Sequence, residues 1–273
     1  MRLLLLVTLA SQVLAAPLEI VQPQLSNSDG GAVNPADFVY HPGETIFFSC
    51  RVRNYQKTPD EKIHLTWSIQ TLDAEGVPLV EPVKNEIVEE VGPQDKDWMP
   101  RLAVEIPLPP LIGSATYQVV VSVNDLTAKT QTELKVPFAV RSQAVRPSDS
   151  LTLENLHFFR SENDTQPLEK AAYRPGDAVW MRFDITGFRY GPKNKIDVSY
   201  AVSVLDASGK VLWTQPEPAT AKSESFYPKL WIPASMSVTT QKNTSPGEYG
   251  IAIEVKDAIG NQMYEAKANF TIE

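Results

Sequence analysis

The sequence contains one cysteine and only 13 glycines among 273 residues. A single cysteine excludes an internal disulfide framework and a cysteine-rich zinc site. The scarcity of glycine excludes a collagen-like chain or a Gly/Ser linker protein. The net charge of −8 offers no basic patch, so we expect no binding to nucleic acid or anionic lipid. Beyond the first residues there is no apolar run long enough to span a membrane.

The residues that are abundant point to a folded chain. Apolar residues make up 42% of the sequence, and 273 residues suffice for about two domains with buried cores. Proline is frequent, with 22 residues, which is more than the usual share of about 5%. This composition excludes a wholly disordered chain.

Residues 1–16 are typical of a secretory signal peptide. Arg2 supplies the positive start, Leu3–Leu9 the apolar segment, and the small residues ending at Ala15 the cleavage pattern. Cleavage after Ala15 is preferred, because a cut one residue later would place Pro17 directly after the broken bond. We therefore expect an exported protein, secreted or periplasmic, without a membrane span.

The two halves of the remaining chain repeat each other. Residue i of the first half matches residue i + 133 over about sixty positions, so that Tyr40–Glu44 falls on Tyr173–Asp177. Towards the end of each unit the offset becomes 132, and Tyr117 falls on Tyr249. The sequence thus predicts one domain at 17–142 and a second at 148–273. The linker at 143–147 contains Pro147 and should be fairly stiff.

Each unit has the residue alternation of β-strands. Every second residue of Val179–Ile185 and of Tyr249–Val255 is apolar, which places one row of side chains in a core. Asp73–Gly76 and Asp206–Gly209 have the composition of hairpin turns. No segment shows a sustained helical period. The predicted fold is all-β, with two tandem immunoglobulin-like β-sandwiches of about seven strands each.

Three positions resemble those of immunoglobulin-like domains. Cys50 lies on the second predicted strand, Trp67 on the third, and Tyr117 opens the sixth. The second sandwich cysteine is replaced by Val119, and in the other unit by Ile251, so the inter-sheet disulfide of antibody domains is absent. The chain therefore resembles tandem bacterial immunoglobulin-like or macroglobulin-like modules of exported proteins. This resemblance implies a fold rather than an activity.

Short segments of the second unit are also similar to proteinase inhibitors of the BsuPI type. They are Tyr173–Asp177, Gly209–Trp213 and Pro246–Tyr249. The similarity implies an alternative function as a protease inhibitor. A proline-stiffened loop such as Pro216–Pro228 would then enter an active site, where it would lose little entropy on binding.

Residues suited to catalysis are few and scattered. The three histidines, His41, His64 and His157, have no histidine at the matching position of the other half. Cys50 lies on an apolar row and is expected in the core. We predict no catalytic residue, no cofactor and no metal, and hence no enzyme, although a site at the joint between the units is a third hypothesis.

Two further groups of polar residues have structural interpretations. The aspartates near loops, Asp73, Asp125, Asp206 and Asp257, could offer oxygens to calcium, but their spacing favours a role in turns. The acidic stretch Glu86–Asp97 is an insertion in the first unit and is expected to form a solvated loop.

Large aromatic residues are the remaining candidates for binding. Phe47 and Trp180 occupy the same outward position in the two units, and five others lie between the fourth and fifth strands: Trp98, Trp213, Phe226, Tyr227 and Trp231. Exposed aromatics often mark binding surfaces, although loops can also cover them. The leading hypothesis is a non-catalytic binding or structural module that presents these residues to a protein or glycan partner at the cell envelope.

Overall fold

The computed structural model describes residues 16–273, so the predicted signal peptide lies almost entirely outside the described residues. The described chain is built of strands, with two single turns of 3-10 helix at Pro93–Asp95 and Pro192–Asn194. The first half contains eight strands: β1 (Glu19–Ser26), β2 (Val39–Tyr40), β3 (Thr45–Arg53), β4 (Lys62–Leu72), β5 (Val83–Glu90), β6 (Arg101–Pro107), β7 (Ala115–Asp125) and β8 (Thr130–Val140).

The second half contains nine strands in the corresponding order. They are β9 (Thr152–Phe159), β10 (Ala172–Tyr173), β11 (Ala178–Thr186), β12 (Ile196–Asp206), β13 (Val211–Thr214), β14 (Ala219–Ser223), β15 (Ile232–Thr239), β16 (Gly247–Asp257) and β17 (Gln262–Ile272).

Each half forms a sandwich of one small and one larger sheet. In the first, the strand orders are β1-β3-β6 and β2-β8-β7-β4-β5. In the second they are β9-β11-β15 and β10-β17-β16-β12-β13, with β14 also paired to β12. The short strands β2 and β10 pair in parallel with the last strand of their own half. The predicted all-β architecture of two tandem sandwiches is confirmed, with eight and nine strands instead of seven.

The positions of unusual backbone torsion angles repeat in the two halves, as the strand order does. Six residues with left-handed torsion angles in the first half have left-handed counterparts 133 or 132 residues later. These pairs are Gln22 and Asn155, Gly43 and Gly176, Asn54 and Gly187, Glu61 and Asn194, Gly76 and Gly209, and Lys129 and Asn261. Residues other than glycine rarely adopt this conformation. The recurrence therefore shows that both halves turn and bulge at the same places.

Matching side chains hold equivalent loops in the two sandwiches. The buried Asp125 carboxylate accepts hydrogen bonds from the backbone N–H groups of Gln56 and Thr127. Asp257 is buried in the same way and accepts from the N–H groups of Arg189 and Ile259. The interpretation of these aspartates as turn residues is confirmed, because their oxygens are used by backbone donors.

Aromatic packing also repeats. Tyr117 stacks on Phe138 with 5.8 Å between the ring centroids, and Tyr249 stacks on Phe270 with 5.6 Å. The Tyr249 hydroxyl donates to the Ser245 carbonyl oxygen at 2.8 Å, as a tyrosine corner does. The resemblance to immunoglobulin-like domains therefore extends to this contact.

Two predicted loops contain strands. The expectation of a solvated loop at Glu86–Asp97 was wrong for its first part, because β5 extends to Glu90 and pairs with β4. The segment Pro216–Pro228 contains β14, whose five residues pair with Ile196–Tyr200. An edge strand with one solvated face and charged side chains lacks the apolar alternation by which strands are recognised.

The described chain divides into two compact units. One comprises the described residues up to Phe38 together with Thr45–Pro107 and Tyr117–Phe138. The other comprises Val39–Glu44, Leu108–Thr116 and Ala139–Glu273. The boundaries predicted from the repeat, 17–142 and 148–273, remain a prediction. Between residues 16 and 273, no helix has the length and apolar character needed to cross a membrane.

Candidate binding surface

The seven aromatic candidates differ in exposure. Tyr227 and Trp231 retain only 9% and 4% of their surface, so the chain itself covers them and they cannot face a partner. Three others are exposed, at 39% for Trp98, 43% for Trp213 and 50% for Phe226. The two equivalent residues Phe47 and Trp180 are partly buried.

Two of the three exposed aromatics have local structural contacts. Trp98 packs edge-on against Tyr55, and the Tyr55 hydroxyl donates to the Trp98 carbonyl oxygen at 2.6 Å. The carbonyl oxygen of Phe226 accepts from the Asn194 side chain at 2.6 Å. These contacts explain why the two residues are held in place without requiring a ligand.

Trp213 differs because it borders a cavity in the second sandwich. The volume of this cavity is about 600 Å³. Its walls come from both sheets and from the loop after β15: Val204, Leu212, Trp213, Ser237, Val238, Thr239, Thr240, Gln241, Thr244, Tyr249, Phe270 and Ile272. Because β13 and β15 are terminal strands of their sheets, we call this cavity the β13–β15 groove.

The equivalent positions of the first sandwich are covered. Leu79 is 1% exposed and its N–H donates to the Thr71 carbonyl oxygen at 2.8 Å. Ile106 and Tyr117, which correspond to Val238 and Tyr249, are buried as well. In the second sandwich Leu212, at the matching sequence position of Leu79, is 52% exposed. The two repeats therefore differ along this side.

A one-residue change of register explains the difference. Val204 is the counterpart of Thr71, and it pairs with Trp213. Its neighbour Leu205 pairs with Val211, so Leu212 is an extra residue in β13. Such a bulge redirects side chains and leaves one residue unpaired. Leu212 consequently points away from the core, and the larger indole of Trp213 takes the place opposite Val204 at 43% exposure.

The β13–β15 groove is uncharged. None of its lining residues is acidic or basic, and β13 itself has the sequence Val-Leu-Trp-Thr. The edge strand of the first sandwich is different, since β5 carries Lys84, Glu86, Glu89 and Glu90. Charged residues protect an edge strand from pairing with another chain, whereas an apolar edge is a template for pairing.

Groups with reactive chemistry lie elsewhere and have structural surroundings. Cys50 is buried in the core, and burial raises the pKa of its thiol to about 12. His64 contacts Glu86 at 3.2 Å on the surface, and His41 contacts the Arg141 carbonyl oxygen at 3.1 Å. Within residues 16–273 no three acidic, cysteine or histidine side chains converge to form a metal site.

Of the residues around the groove, the sequence predicts only Trp213 as a binding candidate. It does not predict Val211, Leu212 or the lining residues between 237 and 244. The sequence signal is small, because the counterpart of Val211–Thr214 in the first repeat is Pro78–Glu81, in which only Glu81 is charged. The exposure of Val211–Thr214 depends on the bulge, which alternation alone does not predict.

No family model and no curated protein matches the sequence. Among solved structures, the chain is similar to the C-terminal domain of the antigen I/II polypeptide BspA of Streptococcus agalactiae. The TM-score is 0.34 at 8% identity, over 93% of this chain and 100% of that one. The C-terminal domain of the antigen I/II-family protein AspA of Streptococcus pyogenes has a TM-score of 0.35 at 9% identity, over 94% and 100% of the two chains. A likeness at this level carries no argument about function.

Proposed function

We propose that the protein is an exported, non-catalytic binding module whose second sandwich holds part of a partner in the β13–β15 groove. One observation carries the proposal: the groove is open in the second repeat, whereas the equivalent residues Leu79, Ile106 and Tyr117 are buried in the first. The two copies of the repeat thus differ at the surface that we propose binds the partner.

The exposed side chains make the groove a favourable contact surface. Val211, Leu212 and Trp213 are consecutive and all are exposed. Burying one large apolar side chain contributes about 1.5–3 kcal/mol, and adjacent apolar residues beside a concave site are typical of binding surfaces. The partner therefore gains most by covering this strand.

The other parts of the proposal rest on the sequence. The pattern of residues 1–16 supports export, secreted or periplasmic, and the repeat supports domains at 17–142 and 148–273. The charged β5 edge of the first sandwich favours a structural role for that domain. Phe47 in the first sandwich and Trp180 in the second are both partly exposed, and each is a separate candidate for contact with a protein or glycan partner.

The alternative of a protease inhibitor loses its main support. An inhibitory loop must be accessible, but β14 occupies residues 219–223 of the segment Pro216–Pro228 and is hydrogen-bonded to β12. Tyr227, near the end of that segment, is buried. We therefore do not propose this function.

Site-specific photo-crosslinking tests the proposed function. A photoreactive phenylalanine analogue replaces Trp213 in one chain and Val88 in a control chain. Val88 is exposed on β5, the other edge strand. Both chains are incubated with envelope extract and irradiated, and each crosslinked product is then purified as a recombinant protein for binding measurements.

We expect a partner that crosslinks at position 213 but not at 88, binds the unmodified purified chain, and is recovered chemically unchanged. Equal crosslinking at both positions would show that the groove is not the binding surface. Cleavage or modification of the partner by the chain would show that the protein is an enzyme.

A further inference from the structure

We infer that the β13–β15 groove binds an uncharged, extended peptide segment, which adds to the open edge of β13 as a further strand and places an apolar side chain in the groove. This inference rests on the proposed function and specifies the chemistry of the partner.

The first step concerns the backbone of β13. In the part of the chain that the structure describes, β13 is the last strand of its sheet and pairs with β12 on one side only. The backbone groups on its other side face no further strand. An edge strand with such groups accepts an extended segment through main-chain hydrogen bonds, while pockets beside it select the side chains.

The second step concerns the side chain that enters the groove. In the first sandwich the chain itself places an aliphatic residue here, since Leu79 is bonded to Thr71 and fully buried. In the second sandwich the bulge at Leu212 puts the indole of Trp213 opposite Val204 in place of that leucine, and Trp213 remains 43% exposed. An apolar side chain delivered from a neighbouring strand would cover the exposed part of this indole.

The third step concerns charge. The groove is lined without acidic or basic residues, and β13 contains none. A charged segment would lose hydration on binding and find no counter-charge, which costs free energy. The electrostatic match is therefore to a segment that is uncharged over the residues in contact. The charged edge β5 would reject the same segment.

The lining also favours a peptide over a saccharide. Val204, Val238, Phe270 and Ile272 line the groove and their side chains have no hydrogen-bonding group. The serine, threonine and glutamine residues of the lining come from one segment only: Ser237, Thr239, Thr240, Gln241 and Thr244. A saccharide presents hydroxyl groups in most directions and would leave several of them unpaired against the apolar residues. In an extended peptide, successive side chains point to opposite faces. An apolar side chain can therefore contact the apolar lining residues, while polar groups of the peptide contact the threonines.

Selection from a phage-displayed library of random twelve-residue peptides tests the inference. The intact chain is the target, and the W213K chain removes binders that do not need the groove. V88K is the matched control, because it places the same charge on the edge strand of the first sandwich. L212K gives a second groove variant in case W213K does not fold, which circular dichroism checks.

Selected peptides should be uncharged over a stretch of about five residues with apolar residues at alternate positions. W213K or L212K should weaken their affinity about tenfold or more, and V88K should not. Two N-methylated versions of one peptide then test the strand pairing. Methylation of alternate residues that face β13 should abolish binding, whereas methylation of the intervening residues should not, because only one edge of the added strand is bonded.

Each other outcome overturns the inference in a recognisable way. Binding that tolerates both methylation patterns would show an apolar pocket without strand addition. A neutral oligosaccharide that binds the intact chain but not W213K would refute the peptide while leaving the proposed function intact. Dimers of the isolated chain that W213K dissociates would identify a second copy as the occupant. If no selected peptide depends on Trp213, this inference fails, and crosslinking at position 213 decides separately whether the proposed function fails as well.

Discussion

Asp184 shows how a single buried carboxyl is supported. It lies on β11 and is nearly inaccessible, and its Oδ2 atom accepts from Gln143 Nε2 at 2.5 Å and from Asn155 Nδ2 at 2.9 Å. Asn155 also donates to the Ala144 carbonyl oxygen at 3.1 Å, so the cluster holds residues 143 and 144 in place. Burial raises the pKa of Asp184 above its ordinary value of 3.8, while the two side-chain hydrogen bonds oppose this change.

This pKa predicts a pH dependence of stability. Between pH 3.8 and the raised value, the folded chain holds the Asp184 proton more tightly than the unfolded chain, so the free energy of unfolding falls as the pH rises. Asp184→Asn should remove the contribution of this carboxyl to the fall in the free energy of unfolding. Denaturant unfolding at several pH values across this window measures it, and Asp60→Asn, on the surface, controls for the lost charge. Identical pH profiles for D184N and the unchanged protein would contradict the prediction.

Cys50 leads to a prediction about reactivity. The thiol is 1% exposed and burial raises its pKa to about 12, so thiolate is scarce at neutral pH. A thiol reagent such as DTNB should leave the native chain unlabelled at pH 8 and label one cysteine per chain in guanidinium chloride. Rapid labelling without denaturant would show that the core of the first sandwich opens.

At the scale of elements, a left-handed residue follows the third strand of each half. It lies beside the segment that precedes the first strand of the same half. Asn54 adopts φ 62° and its side chain donates to the Pro17 carbonyl oxygen at 2.9 Å. Its counterpart Gly187 adopts φ 77°, and a Cβ atom there would overlap the carbonyl oxygen of Ser150. Glycine is needed at Gly187 because the two backbones approach closely.

Gly187→Ala should therefore destabilise the second sandwich by about 1–3 kcal/mol or more. Gly209→Ala is the matched control, since Gly209 also has a positive φ, of 85°, but a Cβ atom there meets no other atom. Denaturant unfolding should show a larger loss for G187A than for G209A. Equal losses would mean that the torsion angle alone, and not the contact with Ser150, determines the cost.

The sequence predicts elements best where burial alternates along a strand. β11 and β16 have one face in the core. The turns at Asp73 and Asp206 are predictable because each aspartate carboxylate accepts a hydrogen bond from the backbone N–H two residues later. The sequence does not predict β5, because this strand is an exposed edge strand with charged residues on both faces. The sequence does not predict the β13–β15 groove either. A shift of one residue in β13 decides which side chains are covered, and that shift depends on tertiary packing.

At the scale of the whole molecule, net charge and the open edge act together. The chain carries a net charge of −8 and its isoelectric point is about 5.1. Repulsion between chains therefore limits contact through β13 at neutral pH and disappears near pH 5. Self-association should rise near pH 5 in the unchanged protein and less in W213K.

Light scattering at pH 5 and pH 7.5 measures this difference in self-association. V88K changes the net charge by the same amount as W213K and should associate like the unchanged protein, because it leaves β13 intact. Equal suppression by W213K and V88K would attribute the effect to charge alone.

The recurrence of left-handed residues at matching positions in both halves has a practical consequence. A segment that lies between two of these residues would meet left-handed torsion angles at both joins when moved to the other half, so chimeras could be joined there without new backbone strain. Exchanging residues 44–53 with residues 177–186, which lie between two such pairs, would show how far each strand depends on its own side chains and how far on the surrounding domain.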